Sequence, residues 1–315
     1  MNLFFSFIVP AFNRGGMIAR ALRSVLDQCD DSIEVVVTDD CSSDDTVAVI
    51  EALGDPRVRL LRHAVNRGVC AARNTAIDAA RGRWLVMLDS DFEMLPGGVA
   101  ALAALCRAAA PEVGNVATTC RWDAGPDTPQ PAPGADLDLD FEGYCRFVAG
   151  LTVSEWFNCY RREVFETVRF PGGRAYEGSF HLAVARRWRF QLWRTPVVLI
   201  HTDATNRITA SAPAKMAARM LRDAPDGAAD AEGVLHAHGA VFRSAAPSLY
   251  EKFAGQAMFQ HLLAGHRADA LRWWAEGPAA ARFAPRTLFF LGVGMVGPEA
   301  LAFAQTRISH WKNRR

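Results

Sequence analysis

Short apolar runs alternate with longer segments of helical period from residue 3 to about residue 120. The runs are rich in β-branched and aromatic residues, which predicts strands at residues 4–9, 34–37, 58–61, 84–88 and 116–119. The segments between them are rich in Ala, Leu and Arg, which predicts helices at residues 18–28, 45–53, 69–80 and 97–109. This order is typical of βα units joined by right-handed crossovers on a mostly parallel sheet.

The pattern changes after residue 120. Residues 123–140 are rich in Pro, Gly and Asp, which predicts a long loop, and such loops commonly border functional sites. Two further strands are predicted at residues 156–160 and 197–201, with a helix after Gly178 between them. From Ala210 onward the chain is predicted to be wholly helical.

The composition narrows the functional classes. A chain of 315 residues, 50% of them hydrophobic, can bury a full core. Its 35 basic and 34 acidic residues leave a net charge of +1, which argues against a nucleic-acid partner. The seven cysteines form no CxxC pair, so we expect a reduced, cytoplasmic compartment. The apolar start lacks a basic region and a cleavage site, which favours a buried strand over a signal peptide.

Two carboxylates, Asp89 and Asp91, follow the predicted strand at residues 84–88. In an extended segment this spacing points both side chains to one side, at the carboxyl edge of a parallel sheet, where ligands usually bind. Hard oxygen ligands suit Mg²⁺ or Mn²⁺, which bridge to diphosphate oxygens. The alternative is a solvated acidic turn.

A second acidic pair, Asp39 and Asp40, ends the second predicted strand. A carboxylate at that edge can accept the N3 proton of a uracil ring or a ribose hydroxyl. Residues 43–45 are expected to cap the next helix. Capping alone explains Asp44 or Asp45, but it does not require Asp39 and Asp40.

The first strand ends at Pro10 without the Gly-x-Gly-x-x-Gly fingerprint of a dinucleotide fold. Further along, Asn66 and Gly68 form a turn at a predicted helix start, and Arg73 lies one turn inside that helix. Taken alone, this arrangement is more typical of a surface arginine on an amphipathic helix. A diphosphate contact for Arg73 is the functional alternative.

Four segments, at residues 7–14, 36–44, 66–74 and 88–91, together resemble the family-2 glycosyltransferases of the GT-A fold. The resemblance is clear over residues 3–110, fainter to about residue 205 and absent beyond. It implies an α/β fold of GT-A type, with a mostly parallel nucleotide-binding sheet flanked by helices and a C-terminal helical appendage. It also implies an inverting enzyme that depends on Mn²⁺ or Mg²⁺.

The resemblance also implies roles for individual residues. Asp91 becomes the principal metal ligand with Asp89 beside it, and His201, after the last predicted strand, helps to hold the metal or diphosphate. An ordinary strand-end histidine is the alternative for His201. Asp40 is implied to hold the nucleoside and Asp39 is a weaker candidate. The remaining donor-site candidates are Pro10, Ala11, Phe12, Asn13, Asn66, Gly68, Arg73 and Ser90.

The catalytic base of similar enzymes lies in a later acidic motif of the form xED, which falls here on Tyr176, Glu177 and Gly178. Glu177 is therefore the expected base, although Gly178 replaces the usual Asp. Glu155 is the alternative. The aromatic residues Trp156, Phe157 and Tyr160 could stack on a sugar, but core packing is expected for at least two of them.

Three regions are expected: a nucleotide-sugar-binding half at residues 1–112, an acceptor-binding half at 113–209 and a helical region at 210–315. Residues 287–304 are apolar, but Pro298 and Glu299 make them unconvincing as a spanning helix. Basic residues follow, which allows peripheral contact with the inner face of the cytoplasmic membrane. Packing on the catalytic domain or across a homodimer interface is favoured slightly over that contact.

The expected function is transfer of a sugar from a nucleotide-diphosphate donor, UDP above all, to a glycan, lipid-linked or other acceptor in bacterial surface polysaccharide synthesis. A sugar-phosphate nucleotidyltransferase is the rival enzyme, but the loop after the first strand lacks the Gly-rich, basic sequence that it requires. The non-enzymatic alternative is a degenerate transferase domain that binds nucleotide-sugars or glycans as a scaffold, which Gly178 keeps open.

Overall fold

The computed structural model describes residues 3–29, 32–172, 177–203, 213–277 and 279–312. These residues form two compact units. Residues up to 172 together with 180–203 make the first unit, and residues 177–179 together with 213–312 make the second.

Nine strands in the described part of the first unit form one sheet. Their order is β3-β2-β1-β4-β8-β6-β9-β5, and β7 pairs with β9. The strands are β1 (Phe5–Ala11), β2 (Ile33–Asp39), β3 (Val58–Arg62), β4 (Trp84–Met87), β5 (Phe92–Met94), β6 (Val113–Trp122), β7 (Leu137–Leu139), β8 (Phe157–Arg161) and β9 (Arg189–Ile200).

The direction of pairing divides the sheet. Strands β3, β2, β1 and β4 are all parallel, so Ala11 lies opposite Asp39 and Ile8 lies opposite Met87. Strand β8 then runs antiparallel to both β4 and β6, while β6 and β9 are parallel. The predicted α/β class with flanking helices is confirmed, and the parallel character is confined to the first four strands and the β6–β9 pair.

Helices connect these strands, and the four predicted before residue 112 are present with ends within a few residues of those predicted. The helices of the first unit are α1 (Ile18–Leu26), α2 (Thr46–Glu51), α3 (Val69–Ala79), α4 (Gly98–Ala108), α5 (Phe141–Ala149) and α6 (Gly178–Ala185), the last of which begins in the second unit. A short 3₁₀ helix follows β8 at Arg162–Glu166.

Alternation along the central strands builds a core on each face of the sheet. Phe7 and Val9 of β1 pack in one apolar cluster with Leu22 of α1, whereas Ile8 packs on the other face with Ile77 of α3. All seven residues of β1 are buried, as expected for a parallel strand covered on both sides. The two faces therefore hold the strand ends firmly in place.

Several predictions from the sequence differ from the structure. The loop at residues 123–140 contains β7, because Asp138 of β7 binds the side chains of Arg189 and Gln191 on β9. This pairing also explains why β9 begins at Arg189 rather than near residue 197. Asp45 occupies the N-cap of α2 but makes no side-chain cap bond there. Core packing of Phe157 and Tyr160, in contrast, agrees with the sequence, because both side chains are fully buried.

The second unit is helical, as predicted. Its helices are α7 (Pro213–Ala245), α8 (Pro247–Leu263), α9 (Arg267–Glu276), α10 (Ala279–Arg282), α11 (Pro285–Val296) and α12 (Pro298–Lys312). Helix α8 packs against α7, α9 and α11, and α12 packs against α7. None of the helices in the described residues combines the length and the apolar character that crossing a bilayer requires. The expected boundary at residues 209 and 210 lies outside the described residues.

Candidate active site

Three strand ends meet at one edge of the sheet. Because β1, β2 and β4 are parallel neighbours, the residues after Ala11, Asp39 and Met87 emerge on the same side. This edge carries most of the donor-site residues that the sequence predicted: residues 10–13, Asp39 and Asp40, and residues 89–91. The topology therefore brings the two acidic pairs to one place, as expected for the ligand edge of such a sheet.

Asn13 ties the first of these loops to the second. Its backbone has a φ of 54°, and its N–H donates to Ser42 Oγ at 2.8 Å. Its side-chain Oδ1 accepts the N–H of Ser43 at 2.8 Å. The neighbouring Phe12 is 42% exposed, which leaves its ring available at the surface of this edge. Asn13 is thus a structural link between loops, next to a side chain that a ligand can reach.

Arg14 extends this link to the third loop. Its N–H donates to Thr46 Oγ1 at 2.7 Å, and its Nε donates to Ser90 Oγ at 2.9 Å. Ser90 is only 6% exposed, so its hydroxyl positions the loop between Asp89 and Asp91. Arg14 was not among the site residues predicted from the sequence, although it ends the first segment of the resemblance. The available signal was a basic residue in a loop at the same sheet edge as two acidic loops.

Asp40 organises the turn before α3. Its Oδ1 accepts the N–H of Arg67 at 2.8 Å and lies 2.7 Å from His63 Nδ1, while its Oδ2 accepts the N–H of Gly68 at 2.7 Å. Asn66 Nδ2 donates to the Asp40 carbonyl oxygen at 3.1 Å. Gly68 has a φ of 91°, which favours glycine. The carboxylate of Asp40, only 3% exposed, is therefore used to hold the protein's own backbone.

Asp39 differs sharply from its neighbour. Its Oδ2 accepts the N–H of Ser42 at 3.1 Å. Its Oδ1 is shielded from water and has no hydrogen-bond partner among the described residues. Buried carboxylate oxygens are normally paired, so a lone one has spare capacity for a donor. On geometry, Asp39 has the unused acceptor, and Asp40 does not.

Arg73 and Asp89 form an ion pair beside this edge. Arg73 NH2 lies 2.7 Å from Asp89 Oδ1, and the arginine side chain is 6% exposed whereas the aspartate is 35% exposed. The guanidinium also stacks over the ring of Phe170 at 5.3 Å. Arg73 is therefore a buried cation rather than the solvated surface arginine that was its alternative. It anchors the first carboxylate of the acidic pair.

The donor set fits a hard divalent cation in part. Asp89 and Asp91 are both half-buried carboxylates, separated by the turn in which Phe92 N–H donates to Asp89 O at 3.0 Å. Mg²⁺ and similar ions keep several waters and need only one or two protein carboxylates beside substrate phosphates. The side-chain ligand atoms of Asp89, Asp91 and His201 do not form a set within 4.8 Å of one another. The two aspartates thus suit such an ion without a third protein ligand.

His201 lies between two carboxylates instead. Its backbone N–H donates to Asp91 O at 3.0 Å, which places it beside the acidic pair as predicted. Its Nε2 is 2.6 Å from Glu93 Oε2, and its Nδ1 is 3.5 Å from Asp123 Oδ2. Hydrogen bonds from Thr202 hold the pKa of Asp123 below its ordinary value. Glu93 and Asp123 were not foreseen from the sequence, because long-range pairing brings them to this histidine.

Glu177, the predicted base, immediately precedes α6 and is half-buried. It belongs to the second unit, and Tyr176 lies outside the described residues. Its catalytic role stays a prediction. A Cβ built on Gly178 meets nothing within 4 Å, so the missing acidic side chain of the motif has space at this position.

The chain is similar to several bacterial proteins. The chain is 50% identical over 91 residues to the succinoglycan biosynthesis protein ExoO of Rhizobium meliloti, covering 29% of this chain and 26% of that protein. It is 30% identical over 169 residues to the GalNAc(5)-diNAcBac-PP-undecaprenol beta-1,3-glucosyltransferase of Campylobacter jejuni, covering 52% of this chain and 54% of that enzyme. The matches thus span from about a quarter to about half of these relatives.

Solved structures share the fold. The crystal structure of S. aureus TarS 1-349 covers 99% of this chain and 92% of its own, with a TM-score of 0.59 at 16% identity. Its complex with UDP-GlcNAc gives a TM-score of 0.57 over the same shares at 16% identity. The mannosyltransferase PcManGT from Pyrobaculum calidifontis, in complex with GDP-Man and Mn²⁺, covers 99% and 87%, with a TM-score of 0.50 at 20% identity.

The family model for glycosyl transferase family 2 matches residues 6–168, which include β1 to β4, both acidic pairs and Arg73. This match covers more than half of the chain and confirms the resemblance drawn from the sequence segments. The chain belongs to glycosyl transferase family 2.

Proposed function

We propose that the chain transfers a sugar from a nucleotide-diphosphate donor, with UDP as the nucleotide, to a glycan or lipid-linked acceptor in the synthesis of a bacterial surface polysaccharide. The observation that carries this proposal is the meeting of Asp39, Asp89 and Asp91 at one edge of the parallel strands, with the buried cation Arg73 on Asp89. The named relatives are a polysaccharide biosynthesis protein and a glucosyltransferase with an undecaprenol-linked substrate, which supports this class of acceptor.

The nucleoside is assigned to the edge between β1 and β2. The unpartnered Oδ1 of Asp39 suits the N3 proton of uracil, and the exposed ring of Phe12 offers a surface against which a base can pack. Asp40 holds the backbone of Arg67 and Gly68, so its effect on binding is indirect. This assignment reverses the order of the two aspartates that the resemblance implied. Pro10, Ala11 and Asn13 shape the loop, and Asn66 and Gly68 shape the turn.

Asp91, with Asp89 beside it, would hold Mn²⁺ or Mg²⁺. The bound ion supplies positive charge for the leaving diphosphate. Arg73 fixes the position of Asp89 through their ion pair, and Arg14 fixes Ser90 between the two aspartates. His201 keeps the role of a residue near the metal, acting through its contacts with Asp91 O and Glu93. The Mn²⁺ in the complex of the mannosyltransferase PcManGT supports a divalent ion in this fold.

Transfer requires a base for the acceptor hydroxyl, and Glu177 is the proposed group. A carboxylate that removes this proton while the anomeric carbon is displaced in a single step gives inversion. Glu177→Gln is expected to lower transfer by about 100-fold or more, since that is the usual contribution of a general base. Glu155→Gln is the matched control, because Glu155 is also half-buried. Full activity in Glu177→Gln together with its loss in Glu155→Gln would move the role to Glu155.

The central experiment is calorimetry of UDP binding with and without Mn²⁺. The wild-type chain should bind UDP more tightly with the metal, and Asp91→Ala should lose that difference. Arg62→Ala at the end of β3 is a control on the same sheet. Unchanged metal-dependent affinity in Asp91→Ala would refute the site. Slow hydrolysis of UDP-sugars by the wild type would separate an enzyme from a binding module, because transfer to water needs no acceptor.

The helical unit is proposed to make the peripheral membrane contact on the cytoplasmic side. Four of its exposed large apolar residues lie on α11, and two more lie just before it and on α12: Leu288, Phe289, Met295 and Val296, with Phe283 and Phe303. Arginines lie among these residues, with Arg282 over Phe283 at 5.8 Å and Arg307 over Phe303 at 5.1 Å. Apolar and basic side chains together suit an anionic lipid surface. The basic residues Arg314 and Arg315 lie outside the described residues.

Sedimentation with lipid vesicles tests this contact. The wild type should bind vesicles that contain phosphatidylglycerol and not vesicles of phosphatidylcholine alone. The double variant Phe289→Ser, Val296→Ser should bind less, whereas Val65→Ser should not, since Val65 is 64% exposed in the first unit. Equal binding of both variants would refute the surface. A mass that doubles with concentration and falls in the double variant would instead indicate a homodimer.

A further inference from the structure

Three metal-binding side chains gather where α8 meets α9 in the second unit. His261 is in the last turn of α8, His266 is the N-cap residue of α9, and Asp269 is in the first turn of α9. One ligand atom from each side chain lies within 4.8 Å of those of the other two. Within the described ranges, no other three His, Cys, Asp or Glu side chains meet this condition.

The backbone between the helices fixes this arrangement. His266 N–H donates to His261 O at 2.8 Å, which closes the turn between the two histidines. Gly265, just before His266, has a φ of 79°, a conformation that favours glycine at the end of a helix. The two imidazole ring centroids are 5.7 Å apart as a result. The backbone of the turn between α8 and α9 therefore places the two histidines side by side.

His261 is held in the tautomer that a metal ligand needs. Its Nε2 lies 2.9 Å from Glu232 Oε1, which also accepts hydrogen bonds from Trp273 Nε1 at 2.6 Å and from Arg272 NH2 at 2.8 Å. An ionised carboxylate can only accept, so Nε2 carries a proton, and in the neutral imidazole Nδ1 then has a lone pair. That Nδ1 is shielded from water and has no hydrogen-bond partner in the part of the chain that the structure describes.

We propose that His261, His266 and Asp269 bind a divalent transition-metal ion, with Zn²⁺ as the ion that suits them best. Two imidazoles and one carboxylate are a common protein ligand set for zinc, and they leave a fourth position for water. A histidine that donates its second N–H to a carboxylate, as His261 does to Glu232, is the usual arrangement around such ions. The ion ties the end of α8 to the start of α9.

Arg272 sets the charge beside this site. Its NH2 lies 3.2 Å from Asp269 Oδ1, and both side chains are nearly half exposed. An exposed pair of this kind contributes little stability, so an ion can displace the arginine from Asp269. Removing the arginine should therefore strengthen metal binding. Arg272→Gln is expected to bind Zn²⁺ more tightly than the wild type does.

Calorimetry with ZnCl₂ tests the site on the full-length chain, without a histidine tag and stripped of metal. His266→Ala and Asp269→Asn replace side chains outside the core, so both variants should fold. Each is expected to weaken Zn²⁺ binding by at least about tenfold, and Glu232→Gln by about 10–100-fold. His236→Ala is the control, because His236 is an exposed histidine of the same unit. Circular dichroism confirms the fold of each variant.

Binding at the strand-end aspartates is separated by repeating the titration in Asp91→Ala. Retention of the tight Zn²⁺ site there, and its loss in His266→Ala, supports the site at α8 and α9. The visible spectrum of bound Co²⁺ should show nitrogen and oxygen ligation in the wild type and change in His266→Ala. Absence of Zn²⁺ binding to the wild type would overturn the proposal. Equal affinity in the wild type, His266→Ala and Asp269→Asn would overturn it too.

Discussion

Asp40 and Asp39 are adjacent, acidic and buried, yet their replacement by Asn should have opposite consequences. Asp40 accepts hydrogen bonds from the backbone of Arg67 and Gly68 and contacts His63. An Asn side chain keeps one acceptor oxygen, so one buried N–H loses its partner, which costs about 1–3 kcal/mol. The remaining bonds change from charged to neutral, at about 1 kcal/mol each. The free energy of unfolding should fall by about 3–5 kcal/mol in Asp40→Asn.

Asp39→Asn should be nearly neutral for stability. The remaining oxygen can still accept the N–H of Ser42, and the amide nitrogen takes the place of an oxygen that has no partner among the described residues. We expect a change within about 1 kcal/mol, because the hydrogen bond that the carboxylate makes within the described residues is preserved. Its affinity for UDP should fall, however, since an amide N–H cannot accept the N3 proton of uracil. The pair of variants thus separates a folding role from a binding role.

Urea denaturation followed by circular dichroism measures the stability of both variants, and hydrogen exchange of a peptide over residues 63–72 reports on the turn itself. Exchange at Arg67 and Gly68 should accelerate only in Asp40→Asn. Equal denaturation midpoints for the two variants would refute the structural argument. A folded Asp40→Asn that loses UDP binding, beside an Asp39→Asn that retains it, would return the nucleoside to Asp40.

Arg73→Lys keeps a charge beside Asp89 but loses the planar group over Phe170, so urea denaturation should show a loss of about 1–3 kcal/mol. Burial raises the pKa of Asp44, but hydrogen bonds from Thr46 and Gly15 outweigh it and hold the pKa below its ordinary value of 3.8. The ionised Asp44 therefore stabilises the folded chain above pH 3.8, and this stabilisation is lost as the pH falls through the lower pKa of the folded state. The free energy of unfolding should fall less between pH 5 and pH 2 in Asp44→Asn than in the wild type, as measured by urea denaturation at each pH. Gly178→Asp should fold normally, as judged by its melting temperature, because a side chain there meets nothing within 4 Å.

Most strands and helices of the first unit were predictable, because the order of apolar and polar residues within each segment indicates the structure of that segment. Buried parallel strands are continuous apolar runs, and the runs of β1, β2 and β4 show this directly. The meeting of three strand ends then followed from topology alone. Strands β7 and β9 were harder, because the polar half of β9 is stabilised by Asp138 on another strand rather than by its own composition.

The roles of individual side chains were less predictable, because they too depend on contacts with residues distant in the sequence. Asp39 and Asp40 are adjacent in the sequence at the end of one strand. Only the path of residues 66–68 decides which carboxylate accepts hydrogen bonds from the backbone N–H groups there. His201 was expected beside the acidic pair, but its partners Glu93 and Asp123 come from strand pairing over long range. The hydrogen-bond partners of these side chains are residues that are close in space but distant in the sequence, so the local spacing of residues does not predict them.

The two sets of candidate metal ligands also differ in whether local sequence or long-range contacts bring them together. Asp89 and Asp91 stand out in the sequence because a strand precedes them, whereas His261, His266 and Asp269 look like scattered polar residues on helices. Their convergence depends on a left-handed Gly265 and on Glu232, which comes from α7 and fixes the proton of His261. A hard-oxygen pair and a nitrogen-rich triad should prefer different ions. Mn²⁺ should therefore restore UDP binding to a metal-free chain, and Asp91→Ala should still bind Zn²⁺. If one ion both restored UDP binding and was bound as tightly by Asp91→Ala as by the wild type, the separation of the two sites would be contradicted.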